Sequence, residues 1–222
     1  MLNQINNSIM AKFDKGILGG FSGKVGNVVG VRWRGQDIMR SLPSRGNYVP
    51  SNAQLEQREK FGLVMRFLSP IQGFLSNYFG KRQGDKSPFN LAVSYHLREA
   101  VELVGEAYQM DYLKVLISKG DLRGMDSPQV QALANQELTL SWEDNSGQGN
   151  ASGTDQCLVV IYAPDAQFFQ TFEQIAQRQD AGVTLNLPPY FAGFEVYIWA
   201  SFVTDNQQEA ATSSYLGNLT IL

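Results

Sequence analysis

The side chains best suited to catalysis are scarce in this chain. His96 is its only histidine and Cys157 its only cysteine, so an imidazole-activated thiol would require this one pair. His96 lies four residues from both Ala92 and Ala100, near the apolar side of a predicted helix. Cys157 begins the apolar run 157–162, which is typical of a buried strand. We therefore expect a hydrogen-bonded or partly exposed structural histidine and a buried, unreactive thiol.

Three other patterns that could support chemistry are incomplete. Residues 19–25 suggest a phosphate-binding loop, but Leu18 stands where the motif requires glycine, and Val25 where it requires serine or threonine. No spaced aspartate cluster typical of a metal site is present. Three glutamates fit a solvated helix face better than an acid–base pair: Glu99, Glu102 and Glu106. We expect a non-enzymatic protein with no cofactor, metal or small-molecule substrate.

Charge is divided sharply along the chain. Residues 1–86 contain 13 basic and 5 acidic residues, a net charge of +8, whereas residues 87–222 contain 5 basic and 16 acidic residues, a net charge of −11. Opposite potentials steer association, so such a chain can bind a polyanion at one end or associate head to tail with its own copies.

The strongest candidate binding residues belong to a predicted β-hairpin. Residues 16–35 contain seven glycines, and the alternation after Gly23 places Trp33 on one side and Arg32 with Arg34 on the other. A turn at residues 34–36 and a returning strand at 37–40 complete the hairpin. Guanidinium groups bind phosphates or carboxylates, although a solvated face remains the alternative. The candidate residues for a partner or a polyanion are Arg32, Arg34, Arg40 and Arg45.

Helix signals follow the hairpin. Ser51 to Gln54 fits a capping box at the start of a first helix. Pro70 after Ser69 predicts a break and a second helix to about residue 79, and Ser87 with Pro88 predicts a third helix to about residue 104. Alternation over residues 111–118 predicts a strand, and residues 126–128 end this section.

The last third of the chain has the pattern of an all-β sandwich. Short strands are predicted at 137–142, 158–162, 182–187, 194–203 and 214–222, with turn residues between them. Leu140-Ser141-Trp142 resembles the early strand with a buried tryptophan of fibronectin type III-like and immunoglobulin-like domains. The strand 158–162 with its tyrosine, the segment 185–188 and the strand 193–197 are also similar to that fold. The resemblance implies an architecture and no ligand.

The whole chain resembles an uncharacterised family of bacterial proteins of about 210 residues, common in Bacteroidota and known only as a domain of unknown function. The residues that carry this resemblance lie at 19–30, 33–35, 39–41, 54–58, 118–122 and 214–217. The glycine-rich hairpin followed by a helix with glutamine and arginine is also similar to small structural proteins of phage-like assemblies.

These patterns predict an α+β protein: a flexible extension at 1–15, a basic hairpin and three-helix region at 16–130, and an acidic fibronectin III/Ig-like sandwich at 131–222. We see no secretion signal and no run of roughly 20 apolar residues, and expect a cytoplasmic protein or part of a released assembly.

The leading functional hypothesis is a self-associating assembly subunit, phage-like or filament-like, whose arginines meet acidic residues of another copy: Glu143, Asp144 or Asp155. One alternative is a module of the basic half that binds polyanions or nucleic acid; nucleic acid is not favoured because the chain is acidic overall, with a net charge of −3. The other alternative is a carbohydrate- or surface-binding module that uses the loop 143–154, Tyr190 and Phe191.

Overall fold

The computed structural model describes residues 12–13, 19–33, 35–42 and 49–222. The chain divides into two compact units, Met1–Ser51 and Asn52–Leu222. This division differs from the predicted boundary at residue 130, because the helices belong to the same unit as the sandwich. The predicted extension at 1–15 lies outside the described residues except for Lys12–Phe13.

The first unit is an antiparallel ribbon whose strands are hydrogen-bonded in chain order. The predicted hairpin is confirmed by the pairing of β3 with β4. The expectation of one continuous strand through residues 23–33 is wrong, because a two-residue turn at Gly26 and Asn27 folds β2 back onto β3. Gly26 has a φ of +58°, a backbone conformation that glycine adopts without steric cost. The strands are β1 (Lys12–Phe13), β2 (Phe21–Val25), β3 (Val28–Trp33) and β4 (Gln36–Ser41).

The second unit begins with its helices, α1 (Asn52–Leu68), α2 (Gln72–Tyr78) and α3 (Pro88–Glu99). The predicted break is confirmed by a 3-10 turn at Ser69–Ile71. Ser69 does not cap α2, however: its hydroxyl donates to the Met65 carbonyl at 2.5 Å. Ser87 caps α3 as predicted, accepting a hydrogen bond from the Asn90 N–H at 3.2 Å.

Two predictions for the segment after α3 are wrong. The helix ends at Glu99 instead of residue 104, because β5 (Val101–Val104) pairs with β6 (Ala107–Met110) across Gly105. Gly105 has a φ of +64°, which permits this tight turn. Residues 111–118 form no strand; Tyr112–Lys114 is a 3-10 turn. No helix in the described part of the chain is long and apolar enough to cross a membrane.

Seven antiparallel strands form the sandwich. Its sheets have the orders β10–β9–β12–β13 and β11–β8–β7. The five predicted strands are confirmed, but β7 and β10 were missed. Pro128 suggested a chain break, yet it lies in a bulge of β7 between Asp126 and Gln129, where its missing N–H costs no ladder bond. The strands are β7 (Asp126–Leu133), β8 (Glu137–Glu143), β9 (Gln156–Ala163), β10 (Phe168–Gln177), β11 (Gly182–Asn186), β12 (Glu195–Val203) and β13 (Ser214–Thr220).

The four-stranded sheet is buried on both faces. Every residue of β9 from Cys157 to Ala163 is buried. Leu158 and Val160 belong to a core shared with the helices, whereas Val159 and Ile161 belong to the core between the two sheets. A strand covered on both faces is apolar throughout and does not alternate. The second unit therefore has three layers, with helices on one side of this sheet and the three-stranded sheet on the other.

Substitutions on β9 test this double burial. Leu158→Ala and Ile161→Ala remove side chains of zero exposure on opposite faces of the strand. Each is expected to lower the free energy of unfolding by about 2–5 kcal/mol, through lost apolar burial and the cavity that remains. The measurement is chemical denaturation of the full chain. Leu133→Ala, on the exposed side of β7, is the control, with a change within about 0.5 kcal/mol. A cost for Leu158→Ala as small as that of the control would show that the helices do not cover the sheet.

Candidate interaction surfaces

The strand register of the ribbon separates two of the predicted binding residues. Arg32 lies directly opposite Asp37, and Arg40 lies opposite Val29. Since successive strand residues point to opposite faces, Arg32 and Arg40 lie on different faces of the ribbon. The expectation of one surface carrying both arginines is therefore wrong. Arg34 and Arg45, the other two predicted residues, lie outside the described residues.

Each ribbon face combines a cation with exposed apolar side chains. We call them the Arg32 face, with Val25 and Met39, and the Arg40 face, with Trp33 and Ile38. Met39 is 71% exposed and Trp33 is 51% exposed. Among the described residues of the ribbon, Gly30 alone is buried. The described residues of the ribbon thus form no apolar core, and few-stranded sheets without one are only marginally stable.

Close backbone approach explains two of the ribbon glycines. A Cβ atom on Gly30 would lie 2.2 Å from the Phe21 carbonyl oxygen and 2.6 Å from the Phe21 ring. A Cβ atom on Gly20 would lie 1.9 Å from a carboxylate oxygen of Asp37. The glycine run therefore provides room for packing between strands, as glycine does wherever backbones meet closely.

The predicted acidic counter-surface is only partly available. Glu143 and Asp144 are exposed at the end of β8. The backbone N–H of Ser146 donates to the Asp144 carboxylate at 2.9 Å, and the Ser146 hydroxyl donates to the same oxygen. These hydrogen bonds lower the pKa of Asp144 and favour its charged form. Asp155, in contrast, is buried. Its assignment to an exposed surface is wrong.

Asp155 is buried because it neutralises Arg178. The Arg178 Nε donates to Asp155 Oδ2 at 3.0 Å, and both side chains are almost fully enclosed. The remaining guanidinium donors bind Asn145 Oδ1 and the backbone carbonyls of Gly124, at 3.2 Å, and Arg123, at 2.8 Å. A buried charge is tolerated when it is paired and fully hydrogen-bonded.

Aromatic rings complete the surroundings of Arg178. Its guanidinium carbon lies 3.9 Å from the centre of the Phe202 ring. The backbone carbonyl of Arg178 accepts a hydrogen bond from Trp142 Nε1 at 2.7 Å. Trp142 is itself buried, as the resemblance to fibronectin type III-like domains implied. No local pattern in the sequence distinguishes Arg178 from a solvated arginine, so sequence analysis missed it.

Removing the Arg178 charge is expected to lower the free energy of unfolding by about 3–5 kcal/mol, because Asp155 would be left buried without its partner. The variant is Arg178→Met, measured by chemical denaturation. Arg123→Met is the matched control: Arg123 forms an exposed ion pair with Asp126 at 2.7 Å, and exposed pairs contribute about 0–1 kcal/mol. Equal costs for the two variants would contradict a structural role for the buried pair.

His96 and Cys157 have the structural roles predicted for them. The His96 ring is fully buried; its Nδ1 lies 2.8 Å from the Ala92 carbonyl oxygen, and its Nε2 accepts the Leu116 N–H at 3.3 Å. These partners require a neutral ring with its proton on Nδ1. Burial lowers the pKa of His96 to about 4 and raises the pKa of Cys157 to about 12. Neither group is suited to proton transfer or nucleophilic attack near neutral pH.

The buried His96 makes stability depend on pH. Its pKa is about 4 in the folded protein against an ordinary value of 6.5, so the unfolded chain binds the proton more readily. The stabilisation is complete above about pH 6.5 and is lost as the pH falls, by about 2 kcal/mol on reaching pH 5. Denaturation at several pH values measures this loss.

Because His96 is the only histidine, the Hε1 proton of its ring gives the single histidine Hε1 signal in the NMR spectrum. We expect no titration of that signal in the folded protein between about pH 7.5 and 5. A midpoint near the ordinary value would contradict the burial.

The aromatic pair proposed for carbohydrate binding is only half exposed. Tyr190 is exposed, but Phe191 is buried in the sandwich core, so its expected exposure is wrong. Phe168, on β10, is the aromatic side chain that accompanies Tyr190 at the surface, with ring centres 5.6 Å apart. No group of three or more His, Cys, Asp or Glu side chains that could hold a metal ion occurs in the described part of the chain.

The three-on-four strand arrangement defines a fibronectin III-like β-sandwich with an added helical layer. The family model described as "Family of unknown function (DUF6266)" matches residues 20–217, and the chain therefore belongs to that family. No curated protein matches the sequence.

Solved structures similar to the chain include fibronectin III domains. The FN1–FN3 domains of chicken CNTN1 are 15% identical, over 47% of this chain and 33% of that one, with a TM-score of 0.35. An fn3 domain of human contactin 1 is 12% identical, over 46% and 77%, with a TM-score of 0.31. An fn3 domain of the human collagen alpha-1(XX) chain is 14% identical, over 47% and 90%, with a TM-score of 0.32.

Proposed function

We propose that this chain is a non-enzymatic interaction protein that assembles with copies of itself, and that its N-terminal ribbon is the docking element. The observation that carries the proposal is the ribbon's exposed apolar surface. Both faces expose large apolar side chains, and the described ribbon residues, of which Gly30 alone is buried, are stabilised when a partner covers that surface. Outward-pointing main-chain groups on an edge strand also allow pairing with another chain.

Charge complementarity favours a second copy as the partner. The first unit contains seven basic and two acidic residues, a net charge of +5, and the second contains 11 basic and 19 acidic residues, a net charge of −8. The ribbon of one copy is therefore attracted to the second unit of another. Glu143 and Asp144, exposed at the end of β8, are the acidic residues that we assign to this contact. Such a head-to-tail contact uses two different surfaces, so it builds rings or filaments.

The two alternatives have weaker support from the described residues. A polyanion on one face of the ribbon would contact only part of its charge, because Arg32 lies on one face and Arg40, with Lys24, on the other. A carbohydrate platform built on Tyr190 and Phe191 loses one ring to the core. Arg178 holds the loop that begins at Glu143 through Asn145 and Asp155, and those two polar side chains are buried and cannot contact a ligand.

Sedimentation of the full chain at about 0.02 and about 0.5 M ionic strength tests the assembly. We expect oligomers at low salt and their dissociation at high salt, because screening weakens contacts between exposed charges. The double variant Arg32→Glu/Arg40→Glu should weaken association by about tenfold or more. Arg58→Glu/Arg66→Glu, an equal change of charge at two exposed positions of α1, is the control and should associate as the wild type does.

A charge exchange identifies the two surfaces. Glu143→Lys/Asp144→Lys should also weaken association alone, and mixing it with Arg32→Glu/Arg40→Glu should restore assembly of the mixture, because opposite charges again face each other. A wild-type chain that stays monomeric at high concentration and low salt would refute the proposal. Failure of the mixture to assemble would refute the assigned acidic surface.

A further inference from the structure

A second charged feature lies on the unit formed by Asn52–Leu222 and has no part in the ribbon contact. It is a cleft of about 570 Å³ between the α2–α3 connection, α3 and the loop that precedes β13. Small-molecule sites commonly have volumes of roughly 300–1,000 Å³. Five basic side chains line the cleft, Lys81, Arg82, Lys86, Arg98 and Lys119, and two acidic side chains, Asp121 and Glu209.

Hydrogen bonds hold the walls of this basic cleft in place. The Lys119 N–H donates to the Tyr78 carbonyl at 3.1 Å, which fixes Lys119 beside the end of α2. Gln83 and Lys86 exchange two backbone hydrogen bonds of 3.2 and 3.0 Å. The Thr212 hydroxyl donates to the Gly120 carbonyl at 3.1 Å. The backbone at Lys86 and Lys119 is thereby ordered without a ligand, and Arg98 lies on α3, so binding would cost little ordering entropy at these three cations.

The cations of the cleft are poorly neutralised. Lys81 pairs with Glu209 at 3.0 Å, but Arg82, Lys86 and Arg98 form no ion pair with any described residue. The seven charged side chains together carry a net charge of +3, in a unit whose net charge is −8. A concave surface lined by one sign of charge concentrates the field and attracts the opposite ion.

We propose that the basic cleft binds the phosphate chain of a polyphosphate ligand. Compensating a charge of +3 within this volume requires about three negative charges on a short group, which a di- or triphosphate provides and a single carboxylate does not. Guanidinium groups match phosphate oxygens with two parallel hydrogen bonds. The lining residues Asn77, Ser94 and Thr212 add neutral polar groups.

The aromatic residues of the cleft are not free to stack on a nucleobase: Tyr78 and Phe79 are buried, and the half-buried Tyr95 is already in contact with other side chains. The Lys119 Nζ lies over the Tyr95 ring, 5.2 Å from its centre. The His96 ring packs against the Tyr95 ring, with the two ring centres 5.3 Å apart. The Tyr95 hydroxyl donates to the Lys114 carbonyl at 3.1 Å. Single-stranded nucleic-acid sites use open aromatic faces for stacking. Recognition here is therefore confined to the phosphate chain.

Calorimetric titration of the full chain with inorganic phosphate, pyrophosphate and tripolyphosphate tests this site, in low salt without divalent cations. We expect one site per chain, with tripolyphosphate binding at least tenfold more tightly than phosphate, and ATP binding about as tightly as tripolyphosphate. Arg98→Glu and Lys86→Glu should each weaken tripolyphosphate binding at least tenfold. Arg98→Lys should weaken it less, because it keeps the charge and loses only the paired hydrogen bonds.

Two controls separate this site from the ribbon and from folding. Arg58→Glu should bind tripolyphosphate as the wild type does, and so should Arg32→Glu/Arg40→Glu, whether or not the protein assembles. Thermal unfolding of each variant verifies that the exposed substitutions leave the fold intact. The proposal is wrong if the wild type does not bind tripolyphosphate at low salt, or if the cleft variants bind it unchanged. It is also wrong if a single-stranded oligonucleotide binds through Arg98 more tightly than tripolyphosphate does.

Discussion

The four-stranded sheet has two apolar faces, and neither can be left in water. One face packs on the three-stranded sheet; the other needs a separate cover, which α1, α2 and α3 supply. Trp199 is an example of the apolar surface that the helices remove from water. Its ring is fully buried on the helical side of β12, and its Nε1 donates to the Tyr112 carbonyl at 3.3 Å. Burial of aromatic side chains of this size contributes strongly to stability. The helices and the sandwich are therefore one folding unit, despite their different sequence patterns.

The buried Arg178 organises the opposite side of the sandwich by polar contacts. Its side chain hydrogen-bonds to the segment before β7, the loop after β8 and the residue before β9, none of which lies within a strand. As a consequence, the neighbouring acidic residues differ in their exposure. Asp155 faces inward as the counter-ion, and Glu143 and Asp144 remain at the surface, where they are available to a partner. The same network thus stabilises the fold and decides which charges are exposed.

The positions of the basic residues in the folded chain do not follow the sequence division into a basic segment, 1–86, and an acidic segment, 87–222. The cations of residues 1–86 are divided among the first unit, α1 and the basic cleft, and both α1 and the cleft belong to the acidic unit. The two sites also differ in construction. The ribbon has exposed apolar faces suited to a macromolecular partner, whereas the cleft is polar, ordered and small enough for a compact anion. The two proposed functions, assembly and anion binding, therefore rest on separate sets of residues.

Local signals in the sequence determined the β3–β4 hairpin, the helix start at Ser87 and Pro88, the break at Ser69, and the strands whose alternation or apolar run is uninterrupted. They also determined the structural roles of His96 and Cys157, because a single histidine and a single cysteine in apolar surroundings leave few other roles. Features that depend on how strands pair, or on contacts distant in sequence, were decided only by the tertiary structure. Pairing across Gly105 ended α3, the bulge at Pro128 allowed β7, and the strand register placed Arg32 and Arg40 on opposite faces. Two features of the charged residues also required the tertiary structure. They are the burial of Asp155 with Arg178, 23 residues apart, and the convergence of Lys119 with Lys81 and Arg98. Charge interactions depend on distance in space, which sequence separation does not give.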